Sequence, residues 1–132
     1  MLDFFSRRQF VETVLAGTGL APQVRPAAFL VHHVFFWLQQ PASEEHKAQL
    51  IEGLKALAAI PQVQRLLVGT AAGTEQRGVV DHSYQVSELM YFRSLEDQAA
   101  YQEHPIHKAF VEKYSHLWQR VVVYDTWMTE QA

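Results

Sequence analysis

The sequence predicts an α+β fold, a ferredoxin-like βαββαβ chain with one four-stranded antiparallel sheet and helices on one face. Four segments rich in aromatic and β-branched residues read as strands: 29–38, 63–69, 83–92 and 118–127. Segments with helical apolar spacing separate the first strand from the second and the third from the fourth. The first strand is apolar on both faces, so something besides its own helices must cover the sheet. The length of 132 residues suits a single domain.

The elements follow in order. Residues 1–28 stand apart. Ser6-Arg7-Arg8-Gln9-Phe10-Val11 resembles a twin-arginine export motif, followed by the mildly apolar, small-residue stretch Val14 to Ala21. The alternative is an amphipathic helix from Arg7 to Leu15. The first reading exports the protein to the periplasm, and the second leaves it in the cytoplasm. The domain itself spans 29–127. Phe29 to Leu38 forms the first strand, and Ser43 caps a helix with Glu44 and Glu45 in its first turn. Leu50, Ile51, Leu54, Leu57 and Ala58 give that helix one apolar face, and Pro61 prevents its continuation. Val63 to Gly69 is the second strand, Ala71 to Asp81 a polar loop, and Ser83 to Phe92 the third strand. Ser94 caps a second helix, with Asp97 at capping-box spacing. Pro105 starts a further helical segment, because a missing N–H costs nothing in the first turn. Trp118 to Trp127 is the last strand, and 128–132 a polar tail.

Composition excludes several classes of function. The apolar fraction is 48% and the charged fraction 19%, enough to bury a core. Eleven basic against fourteen acidic residues give a net charge of −3, which argues against a nucleic-acid partner. Without cysteine there is no thiol nucleophile, disulfide or thiolate metal site. No apolar run is long enough for a stable membrane anchor.

The chemistry-bearing stretch is Tyr101-Gln102-Glu103-His104-Pro105-Ile106-His107-Lys108-Ala109-Phe110. It sets a phenol and two imidazoles around a proline. Imidazole exchanges protons near neutral pH, and a phenol orients a polar ligand without carrying charge. His104 reads as a helix-end residue. On the first strand, His33, Phe35 and Trp37 alternate onto one face, assigned here to a ligand pocket, with His32 turned towards a dimer partner. Phe110 and Trp118 are expected to line the same pocket. His33, His104 and His107 could form a three-nitrogen metal site, but no accompanying carboxylate or HExxH pattern supports one. The expectation is no metal and no cofactor.

Taken together, these residues resemble the stress-responsive A/B barrel (Dabb) family. The resemblance rests on His33, on Ile51-Glu52-Gly53-Leu54-Lys55 and on Asp81-His82-Ser83-Tyr84. It rests further on Phe92 through Tyr101-Gln102-Glu103-His104-Pro105-Ile106-His107 to Val111, and on Val122-Val123-Tyr124-Asp125. It implies a homodimer whose two sheets face each other as an α/β barrel. It also implies distant similarity to a plant cyclase that forms olivetolic acid with a His and a Tyr and without a cofactor. In that comparison Tyr101 and His107 match the catalytic pair and His33 a further pocket His, while Val86 stands where a third pocket His would be. The expected catalytic residues are therefore His107 as base, Tyr101 as orienter and His33 as stabiliser of developing charge. The expected activity is binding of a small apolar or aromatic molecule, with cyclisation or isomerisation by proton abstraction beside a carbonyl. A non-catalytic stress-related binding protein and a cofactor-free monooxygenase are the alternatives.

Overall fold

The computed structural model describes residues 28–131. The export-signal reading falls outside them. Strand β1 (Ala28–Leu38) is followed by helix α1 (Glu44–Lys55) and a tighter turn over Ala56–Ala59. Strands β2 (Arg65–Thr70) and β3 (Val86–Phe92) come next, then helices α2 (Leu95–Glu103) and α3 (Pro105–Tyr114). A short turn over Ser115–Leu117 leads into strand β4 (Trp118–Thr129). The strand order is β2-β3-β1-β4 with every neighbouring pair antiparallel, the βαββαβ topology of the ferredoxin-like fold.

Local chemistry fixes the helix starts. Ser43 Oγ accepts a hydrogen bond from the His46 N–H at 3.0 Å, and Ser94 Oγ does the same for Asp97. At the joint between α2 and α3, His104 is extended, and its Nδ1 accepts from the Ile106 N–H at 3.0 Å. With Pro105 as the next residue, His104 is a cap, and its ring is committed to the helix end.

Strand boundaries differ from the sequence reading, with β2 running from Arg65 to Thr70 rather than from Val63 to Gly69. The third strand begins at Val86 rather than Ser83, because Asp81 accepts from the Ser83 N–H and turns the chain. The last strand continues past Trp127, pairing Met128 with Phe29 and Thr129 with Ala28. Met128 and Thr129 of the expected tail therefore belong to the sheet.

Strand alternation sorts β1 into two faces. Leu30, His32, Val34, Phe36 and Leu38 face the helices and are all buried. Their neighbours include Val86, Met90 and Phe92 of β3, Leu50 and Leu54 of α1, Tyr101 of α2 and Phe110 of α3. Gly53 lets α1 approach α3 closely. A Cβ there would lie 2.6 Å from the ring of Tyr114. The opposite face carries Phe29 and Val31, which are buried, and His33, Phe35 and Trp37, which are half-buried, and no helix of the described residues packs on it.

Candidate functional site

A cavity of about 190 Å³ opens between the helix face of the sheet and the α2–α3 joint. Its polar lining comprises His32 of β1, Glu88 of β3, Tyr101 and Gln102 of α2, and His107 of α3. The rest is apolar: Val34, Phe36, Phe110, Val111, Trp118, Val121 and Val123. Such a site binds by shape and orients by a few polar groups.

The rings are packed in sequence around Tyr101. Its centroid lies 4.7 Å from His107, 5.8 Å from His32 and 5.1 Å from Phe92, with the first two edge-to-face. Burial, reinforced by the Glu88 carboxyl, pushes the Tyr101 hydroxyl well above its ordinary pKa. Tyr101 is therefore a neutral hydroxyl at working pH.

His107 is held neutral. Burial lowers its pKa first, and nearby His32 adds to the shift. A hydrogen bond with the Gln102 backbone, and the charge of Glu103, pull the other way. A bond that raises an imidazole's pKa is one that the ring donates, so the second ring nitrogen keeps a lone pair. That nitrogen has the electronic character of a general base.

His32 is oriented by a carboxylate. Its Nδ1 lies 2.6 Å from Asp125 Oδ1, its partner across the β1–β4 ladder. A carboxylate can only accept, so Nδ1 carries the proton and Nε2 is the free position. The His32 side chain is 6% exposed, whereas the Asp125 side chain is 47% exposed. Asp125 thus sits at the rim and fixes the tautomer of a buried histidine.

Of the residues singled out from sequence, the structure brings together Tyr101, His107, Phe110 and Trp118. It does not bring His33, Phe35 or Trp37 to them. All three lie on the opposite face of the sheet, because β1 presents its even-numbered side chains to the helices. His33 packs on Phe35 with centroids 4.2 Å apart and stands directly across from Tyr124. Partial burial lowers its pKa. Trp37 donates to Ser83 Oγ at 2.9 Å, under the guanidinium of Arg120 at 4.4 Å. His32, expected to face a partner, takes the cavity position expected of His33.

This geometry has relatives. Residues 30–128 match the stress-responsive A/B barrel domain. The chain belongs to the Dabb family. No curated protein matches it. A dimeric ferredoxin-like protein of unknown function from Thermobifida fusca is similar in structure, with a TM-score of 0.61 at 20% identity, covering 76% of this chain and 92% of that one. The hydroxynitrile lyase of Passiflora edulis gives a TM-score of 0.65 at 20% identity, with 79% and 96% covered. A monooxygenase-like protein from Chloroflexus aurantiacus gives 0.55 at 14% identity, with 80% and 97% covered. At these identities the likeness establishes the Dabb fold alone.

Three residues of this Dabb chain were not assigned to the site from sequence: His32 and Glu88, which line the cavity, and Asp125, which holds His32. Asp125 was visible only as part of a last-strand motif. Its role depends on the β1–β4 register, which pairs it with His32 across 93 residues. Glu88 carried one usable signal. It stands between Val86 and Met90 in an alternation otherwise apolar on that face.

Proposed function

We propose that this Dabb chain forms a homodimer through the open face of its sheet and binds a small apolar or aromatic carbonyl compound in the helix-side cavity. There it acts as a cofactor-independent acid–base catalyst, removing a proton beside the carbonyl and leading to ring closure or isomerisation. His107 takes the proton, Tyr101 holds the oxygen, and His32, oriented by Asp125, presents its unprotonated Nε2 as a hydrogen-bond acceptor in the cavity wall. The observation that carries the reading is the meeting of Tyr101, His107 and the His32–Asp125 pair on one small, mostly apolar cavity. Neutral imidazole in an apolar wall suits abstraction of a weakly acidic proton at neutral pH.

Dimerisation is supported by the exposed apolar residues of the open face. Leu67 is 42%, Tyr124 62% and Met128 44% exposed. The similar Thermobifida fusca protein is described as dimeric. A second sheet from an identical chain is the simplest cover for such a surface.

Acetophenone tests the catalytic reading, because it fits the chemistry and its methyl protons exchange slowly unaided. In heavy water, the protein should accelerate loss of the methyl proton signal. His107→Ala should reduce that rate by about 10²–10⁴-fold, the range for a general base, with melting temperature and dimer intact. Binding without exchange in the unmodified protein would instead make it a ligand-holding module. Unfolding of His107→Ala would make the residue structural.

A further inference from the structure

Glu88 is used by nothing described so far. It is 3% exposed, in the middle of a central strand, with Val34 and Val68 as its cross-strand neighbours. Its Oε2 has no hydrogen-bond partner among the described residues. The side chain lines the cavity with Tyr101 from α2, His107 from α3 and His32 from β1, and no Lys or Arg shares that lining. A carboxyl group so placed is costly unless it is neutral or has a partner that comes and goes. Burial raises its pKa to about 8, so the group is largely protonated at neutral pH. A protonated carboxyl is both a hydrogen-bond donor and a proton source.

We propose that Glu88 is the acid of this site, and that its carboxyl O–H donates a hydrogen bond and then its proton to the carbonyl oxygen of a neutral ketone-type substrate. The proposal rests on the acid–base reading above and narrows the substrate class. A cavity with a proton donor and no cationic side chain suits a neutral acceptor better than a carboxylate. The step balances. A histidine nitrogen takes the proton from the carbon beside the carbonyl, and the C–H electron pair becomes the enol double bond. The carbonyl π pair moves to oxygen, which takes the Glu88 proton. The result is a neutral enol, an imidazolium and a carboxylate. When the enol carbon attacks a second carbonyl within the same molecule, a C–C bond forms. The enol proton then returns to Glu88, and the new alkoxide takes the imidazolium proton, which restores both residues.

Acetophenone labelled with ¹³C at its carbonyl is the probe, read in two ways. Bound to the unmodified protein, its carbonyl infrared band should move to lower frequency. Glu88→Leu should abolish that shift, and Glu88→Gln, which still donates through its amide, should keep part of it. In the exchange assay, Glu88→Gln should bind the probe yet lose about a hundredfold in rate, because an amide does not hand over a proton. The two arms fail separately. A Glu88-dependent band shift without any exchange would overturn the catalytic reading and uphold Glu88 as the donor. Exchange at the unmodified rate in Glu88→Gln would overturn the acid and leave the histidine reading standing. Absence of acetophenone binding or of a band shift overturns the proposal. So does tighter binding of benzylamine with ionised Glu88, which would make the group a cation site.

Discussion

The two faces of the sheet are built from neighbouring residues and do different work. On the helix face, His32 is held by Asp125, Tyr101 stands between two imidazoles, and a carboxyl is kept neutral by burial. On the open face, His33 packs at a tilt on Phe35, and the aromatic rings of Tyr84 and Tyr124 crowd the same Phe35 ring. The helix face has few polar groups, each positioned, around a space. The open face has broad apolar area and no enclosing element among the described residues. In the proposed function the first takes a small molecule and the second meets another sheet. Adjacent histidines thus acquire opposite environments through a rotation of half a pleat.

The comparison breaks most sharply at the open face. Leu67→Arg combined with Tyr124→Arg puts cations where two sheets would meet. Like charges at an interface cost several kcal/mol, so the dimer should dissociate in light scattering at micromolar concentration. The cavity lies on the other side of the sheet, so each monomer should still bind acetophenone. A double variant that stays dimeric would place the interface elsewhere.

The next largest effect contrasts His32 with His33. His32→Ala should slow proton exchange on acetophenone by roughly a hundredfold, within the range for a positioned polar group. His33→Ala should leave the rate within about twofold while weakening dimerisation, read in the same samples. Equal losses in both would erase the functional distinction between the faces.

The smallest effect is a pH dependence of stability. Glu88 has a folded-state pKa raised from 4.5 to about 8, so the folded chain binds one more proton than the unfolded chain between those values. Its contribution is fully present below pH 4.5 and is lost as pH rises through about 8. His33 and His107 are shifted down from 6.5 and work in the opposite sense, stabilising as pH rises, but only below 6.5. The window from about 6.5 to 8 therefore isolates Glu88. Within it, denaturant-derived stability should fall at up to about 1.4 kcal/mol per pH unit. Glu88→Gln should flatten that slope. A slope that survives the substitution belongs to another group.

The order of elements was legible because period-two and period-3.6 patterns, Ser caps and prolines are local signals. Ser43, Ser94 and Pro105 stand where such signals put them, and the His104 ring caps the joint as its position beside Pro105 suggested. The meeting of Tyr101, His107 and Phe110 was legible through the family motif, and Trp118 through its place as an aromatic at the start of the last strand. Which face of β1 receives them was not. Both faces of that strand are aromatic and apolar, so alternation separates the two sets without saying which set meets the helices.

By itself, then, the sequence determined the fold, the joint between α2 and α3, and the presence of an aromatic sheet face in need of cover. Tertiary structure alone decided that His32 rather than His33 enters the cavity, that Asp125 fixes its tautomer, and that Glu88 is buried there without a cation. The physical reason is range. Caps and turns act across three or four residues, whereas the environment of a side chain on a central strand is set by register and by elements tens of residues away.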